Sequence, residues 1–313
     1  MACLTREYGT AEGRRLVADG RTRLPPIPVG LVAWPIRMAS LPSMHPGGTP
    51  GVTGRRRAPL GALVGVMVLV AMGLGALWPG LDPYAMDLTA RLTGPSAGHW
   101  LGTDRFGRDL LARTLVASRY SLAIALAAVG TAATAGTTLG LLAGRGGAVG
   151  EILSRLVDAL MALPGVLVAM LLAVVMGPSP ITVGVAIAVG LVPGYFRVSR
   201  GLALALREAP YVEAAYAAGA SWWHVARWHL LPGMARPLAA HSAASAAVAL
   251  LADAGLSYLG LGLQPPTPSW GLLLKEAQQA IGLSPWPALV PGAFLAAAAL
   301  AFNAIASALQ SGR

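Results

Sequence analysis

From residue 60 onward the chain alternates long apolar runs with short polar stretches. The run LGALVGVMVLVAMGLGALW, residues 60–78, comes close to the ~20 residues an α-helix needs to cross the hydrocarbon core of a bilayer. Runs of similar character cover about 120–143, 157–177, 180–198, 237–263 and 287–309, the last with Asn303 as its one strongly polar side chain. Backbone groups in lipid must find their partners within the segment, so these runs predict helices rather than strands. The pattern predicts an all-α integral membrane protein of six transmembrane helices. A tail, 1–58, leads to a first helix and an extracytoplasmic segment, 59–119, and then to a core, 120–310, interrupted by the polar loop 199–236. Pro164, Pro193 and Pro291 fall inside predicted spans, where a missing backbone donor kinks a helix.

Composition agrees: 55% of residues are hydrophobic and 12% charged, about half the charge of an average soluble domain. The net charge of +10 does not sit on a basic module with interleaved aromatics, so topology explains it better than nucleic-acid binding. With the N-terminus inside, 17 of the 23 basic residues fall on the cytoplasmic side. This places both termini and loop 199–236 in the cytoplasm. The segment 79–119 is then extracytoplasmic, its five arginines nearly balanced by Asp82, Asp87, Asp104 and Asp109. Residues 1–58 hold nine arginines among many Gly and Pro without helical or strand periodicity, which reads as a disordered tail, with Met44 as an alternative start. The stretch PVGLVAWPI, 28–36, is too short and too broken by proline for an export signal. Cys3 is the only cysteine, which excludes an intrachain disulfide.

Several chemistries are excluded. Lys275, the only lysine, lies between Leu274 and Glu276, so no G-K-[ST] phosphate loop exists and any ATP hydrolysis must come from another chain. His224, His229 and His241 have no metal-binding spacing, and no metal is assigned. The stretch GTDRFGRD pairs acids with arginines but offers no nucleophile beside a histidine base, and His99 stands alone. It reads as a loop held by Asp104–Arg108 and Arg105–Asp109 contacts. Asp253 lies within the fifth span, where an ionisable group is a functional candidate. The plainer reading is a hydrogen bond to Ser257 or to a partner helix beside a water-filled cavity.

Loop 199–236 contains EAAYAAGASWWHVARWHLLPG, 213–233. Helix formers follow Pro210, and Gly219 allows a turn that a side chain resists. The Ser221 hydroxyl can cap a second helix, which Pro232 and Gly233 are expected to stop. Two readings stay open on physical grounds: an interfacial hairpin whose Trp222, Trp223 and Trp228 rest on the membrane, or a rigid knob for a cytoplasmic partner.

Glu213-Ala214-Ala215 with Gly219 six positions after Glu213, then Leu231-Pro232, resembles the E-A-A-x-x-x-G motif of ATP-binding cassette importer permeases. His229, two positions before the Leu-Pro, resembles the peptide-permease branch. HWLGTDRFGRDLLARTLVASRYSL (99–122), RLVDALMALPGVLVAM (155–170), LSYLGLGLQPPTPSWG (256–271) and FNAIASAL (302–309) are similar, in order, to signatures of the dipeptide, oligopeptide and nickel branch. The resemblance covers roughly 60–310. Gly233 departs from the usual Asn after the Leu-Pro, and Ala306 and Ser307 replace a usual acid.

The resemblance implies the non-catalytic permease subunit of a binding-protein-dependent importer in the bacterial inner membrane, carrying peptides, nickel or related small solutes. Its expected partners are a homologous permease subunit, two cytoplasmic ATPases that hold ATP and Mg, and an extracytoplasmic solute-binding protein. No cofactor is expected on this chain. The ATPase-coupling residues would be Glu213, Ala214, Ala215, Gly219, Ser221, His229, Leu231 and Pro232, with Asp253, Ser257 and Asn303 as pathway or gate candidates. The rival is a secondary transporter or channel driven by an ion gradient, but its inverted repeats and multiple intramembrane charges are not evident. A membrane-bound enzyme lacks a catalytic constellation.

Overall fold

The computed structural model describes residues 57–75, 82–162 and 164–311. The expected disorder of residues 1–56 and the alternative start at Met44 lie outside the described residues, while Arg57 and Ala58, expected in the tail 1–58, already belong to the first helix. Among the described residues the regular elements are helices: α1 (Arg57–Gly75), α2 (Leu110–Ala143), α3 (Gly147–Met161), α4 (Gly165–Met176), α5 (Pro180–Arg207), α6 (Pro210–Ala217), α7 (Trp222–Tyr258), α8 (Trp270–Gln278) and α9 (Trp286–Ser311). A single 3₁₀ turn, Leu88–Ala90, lies in the segment before α2.

Four helices, α2, α5, α7 and α9, are long and apolar enough to cross a membrane, and the α3–α4 pair adds a fifth candidate. The run expected to span at 157–177 is broken: α3 and α4 meet at 85°. Pro164 caps α4 with extended backbone, φ −59° and ψ 127°; it has no N–H to continue α3, and its ring would meet the preceding turn. Twelve residues of α4 rise only ~18 Å against a hydrocarbon core of ~30 Å. The other two prolines, Pro193 in α5 and Pro291 in α9, lie within continuous helices.

The helix expected to begin near residue 120 starts at Leu110, because the Asp109 carboxylate accepts the Ala112 N–H at 2.8 Å and caps it. Helices α2 and α5 pack backbone to backbone along Gly136, Gly140 and Gly144. A Cβ on Gly136 would lie 2.5 Å from Tyr195 Cβ, and one on Gly140 2.6 Å from the Phe196 carbonyl oxygen. Small residues at four-residue spacing remove the bulk that would hold two helices apart, the geometry favoured where lipid gives no hydrophobic push. In the same way Gly65 seats α1 on α9: its Cβ would meet the Ala301 carbonyl at 2.7 Å. Helix α7 packs against α2, α5, α8 and α9, and the main core, including Ala125, Ala132, Tyr195, Leu250 and Trp270, gathers around these helices.

The segment 82–109 is ordered by its own polar groups. Asp104 accepts the Phe106 and Arg108 N–H groups at 2.8 and 3.0 Å, and the Arg91 Nε–H donates to the Arg105 carbonyl at 2.7 Å. Gly107, at φ +74°, lies so close to the Asp87 carbonyl that any side chain would collide.

Candidate docking site and its link across the bundle

The polar loop folds as a helix–turn–helix. Pro210 occupies the first turn of α6, where its missing N–H costs nothing, and Glu213 adds a negative charge near the positive end of the helix dipole. The helix ends in a Schellman turn: Ala220 N–H reaches back to Ala215 O at 3.0 Å and Gly219 N–H to Tyr216 O at 2.9 Å, with Gly219 at φ +87°. The Ser221 hydroxyl then accepts the His224 N–H at 3.4 Å and opens α7. The expected turn at Gly219 and cap at Ser221 are both in place.

The expected stop at Pro232 and Gly233 does not occur. The chain from Trp222 to Tyr258 is one helix of 37 residues, with a wide π turn at Ala226–Leu230. Leu231 N–H bonds to Ala226 O, five residues back. An α-turn would press the Pro232 ring onto the Trp228 carbonyl; the wider turn moves that carbonyl aside. The predicted docking helix and fifth span are therefore a single rod.

Val212, Val225, Leu230 and Met234, all buried, pin the hairpin to Leu141 and Ala203 at the ends of α2 and α5. Arg207 donates from Nη1 to the carbonyls of Gly144 and Arg145 at 2.8 and 3.0 Å, satisfying acceptors at the end of α2. Arg145 in turn lies 5.5 Å from the Trp222 ring centre, and Trp222 meets Trp223 edge-on at 4.7 Å. Glu213, Ala214, Tyr216, Trp223 and Trp228 are exposed on the hairpin, the two tryptophans at 67% and 63%. Ala215 turns inward against the buried cluster. His229 stacks on Tyr211 at 6.2 Å with its Nδ1 unpartnered, while Leu231 and Pro232 are exposed on the rod.

The pathway candidates do not form one site. Asp253 is fully buried on α7, roughly 45 Å along the rod from Trp222 at 1.5 Å per residue. Its Oδ1 accepts the Ser257 hydroxyl at 3.4 Å, as expected, and its Oδ2 has no partner. Ser121 of α2 faces the same carboxyl. Asn303 lies exposed on α9, its amide donating to Ala299 O of its own helix at 3.0 Å.

In the GTDRFGRD stretch the expected Asp104–Arg108 pair is present at 2.6 Å. The expected Arg105–Asp109 pair is not: Asp109 is spent on capping α2 and on His99 Nδ1 at 2.9 Å, while Arg105 reaches Gln279 and lies over Phe106. Two members of this cluster were missed from sequence. Arg113, 1% exposed, contacts Asp104 at 2.5 Å and Glu276 at 2.9 Å, and Arg108 contacts Glu276 at 3.0 Å. The sequence offered only the i, i+4 spacing of Asp104 and Arg108; Glu276 lies 163 residues beyond Arg113.

Among the described residues no group of three His, Cys, Asp or Glu side chains is placed to hold a metal. Membrane-length helices packed around one rod, with exposed tryptophans near its polar end, define a helical membrane protein. Residues 136–312 match the family described as binding-protein-dependent transport system inner membrane component. The probable D,D-dipeptide transport system permease protein DdpC of Escherichia coli K12 is 38% identical over 77% of this chain and 82% of its own length. The glutathione transport system permease protein GsiD of Pectobacterium atrosepticum is 36% identical over 82% of this chain and 86% of its own. The dipeptide transport system permease protein DppC of Alkalihalophilus pseudofirmus is 37% identical over 80% and 84%. The chain belongs to the family of binding-protein-dependent transport system inner membrane components.

Proposed function

We propose that this permease subunit lines a pathway for peptides across the cytoplasmic membrane and is driven by separate ATPases that bind the patch around Glu213, Trp223 and Trp228. The observation that carries the reading is the rod. The E-A-A-x-x-x-G turn, held by its Schellman bonds, leads at Ser221 into a second helix that runs unbroken from Trp222 through the core to Asp253. A displacement of the patch by an ATPase closing on ATP is then delivered along one stiff element to the far side, a switch between inward-open and outward-open states.

The peptide substrate follows the names of the relatives, which transport dipeptides and glutathione. Six spans follow if α1 is one and the bent α3–α4 pair another. The arginine distribution supports cytoplasmic termini and a cytoplasmic patch. A homologous permease subunit completes the pathway, an extracytoplasmic binding protein delivers the solute, and ATP with Mg stays on the ATPases, leaving this chain without a cofactor. Glu213 supplies charge and hydrogen bonding to the contact, while Ala214 and Gly219 allow close approach.

Co-purification tests this. A tagged chain should bring down an ATPase, and peptide uptake in proteoliposomes should stop when ATP is withheld. Uptake that persists without ATP and follows an imposed ion gradient instead would establish the secondary-transporter reading.

A further inference from the structure

We propose that Glu276 is a positioning residue that locks the extracytoplasmic segment 82–109 and α8 into one rigid plate, seated on the far end of the α7 rod so that the plate travels with it. The proposal rests on the importer reading for its use, but the rigidity of the plate is a separate property.

The lock is a closed ring of four charges. The Arg108 and Arg113 guanidinium groups each contact both the Asp104 and the Glu276 carboxylates, at 2.5–3.0 Å. The four side chains are at most 15% exposed and their charges cancel. Removing Glu276 from such a buried ring leaves two guanidinium groups sharing the one Asp104 carboxylate, and broken buried pairs are far more damaging than broken surface pairs. Glu276 is the only member from α8; Asp104 and Arg108 come from the segment, and Arg113 from the first turns of α2. Arg105 adds a second tie by donating to the Gln279 amide oxygen.

The seat lies between α8 and α7. A Cβ on Gly271 would collide with the Ala254 carbonyl of α7 and lie 2.7 Å from Ser257 Cβ, so α8 rests on the rod with no side chain between them. Trp270, fully buried, donates its backbone N–H to Ser121 at 3.4 Å and its indole N–H to Thr114 O at 3.2 Å. These contacts surround Asp253 and Ser257 at the end of the rod. Movement imposed at Trp222 therefore reaches the outer face through α8, and Glu276 passes it to the segment 82–109.

The test uses the whole importer, with Cys3→Ser in this chain. Arg105→Cys and Gln279→Cys are joined with a bis-methanethiosulfonate reagent, because two long side chains meeting at their tips leave the Cβ atoms too far apart for a direct disulfide. A rigid plate gives the same cross-linking yield without nucleotide and in the vanadate-trapped state, and the linked importer still transports. A yield that changes with nucleotide, or transport abolished by the link, overturns the proposal. In addition, Glu276→Gln should reduce binding-protein stimulation of the ATPase about fivefold or more while basal hydrolysis persists, and Glu276→Asp should restore part of it. Full stimulation in Glu276→Gln overturns the positioning role. A preparation that contains no ATPase refutes the importer reading instead, and the nucleotide-free cross-link, together with the loss of that link in Glu276→Gln, still reports on the plate.

Discussion

Replacing Gly219 perturbs the docking patch at one defined point. A Cβ built there meets nothing within 4 Å, so a substitution acts inside this chain only through the backbone, which sits at φ +87°. An L-residue with a side chain pays about 1–2 kcal/mol to adopt a left-handed conformation, and a β-branched one is worst placed to do so. An eight-residue α6 is too short to hold itself against that cost, so the turn should yield and the weight of the observed geometry fall by about 5- to 30-fold. Gly219→Val should therefore uncouple hydrolysis from peptide uptake while membrane insertion and yield stay normal. Gly219→Asn separates backbone from bulk, since Asn tolerates this region, and it should transport close to the parent rate. The assay is the ratio of uptake to ATP hydrolysis in proteoliposomes. Normal coupling in Gly219→Val, or equal damage from Asn and Val, would refute the backbone argument; the second outcome would point to steric exclusion by the partner.

Other expectations are as direct. Ser221→Ala removes the cap on α7 and should cost about 1 kcal/mol locally, visible as faster hydrogen exchange at the His224 amide. Gly140→Leu places carbon where the Phe196 carbonyl already sits, so α2 and α5 must separate; the expected result is loss of monodisperse protein, whereas Gly130→Leu, at a position with open space, should behave normally. Asp87 is held below its ordinary carboxylate value of 3.8 by the Thr89 hydroxyl and N–H. Because the folded value is the lower one, its contribution is complete above pH 3.8 and lost as the pH falls below it, so exchange at the Thr89 amide should quicken only under that acid condition.

The sequence made some features legible because they are local. Apolar runs of bilayer length, the glycine that ends α6, the serine that opens α7 and the proline that interrupts residues 157–177 each act within one or two turns. The same local rules failed at Pro232. There, helix-stop signals met a rod held from both sides, by the buried Val225–Met234 cluster and by the core around Leu250, and the backbone widened into a π turn rather than break.

Sequence by itself determined the class of protein, four of its membrane-length helices and the turn at Gly219, since hydrophobic length and turn chemistry are properties of neighbouring residues. Tertiary structure decided the rest. It ran the segment from Trp222 to Asp253 as one continuous helix, diverted Asp109 from Arg105 to a cap and to His99, and closed the ring of Arg108, Arg113 and Asp104 with Glu276. Each of these depends on which charges are buried together, and burial is set by how helices distant in the chain pack, which no local spacing records.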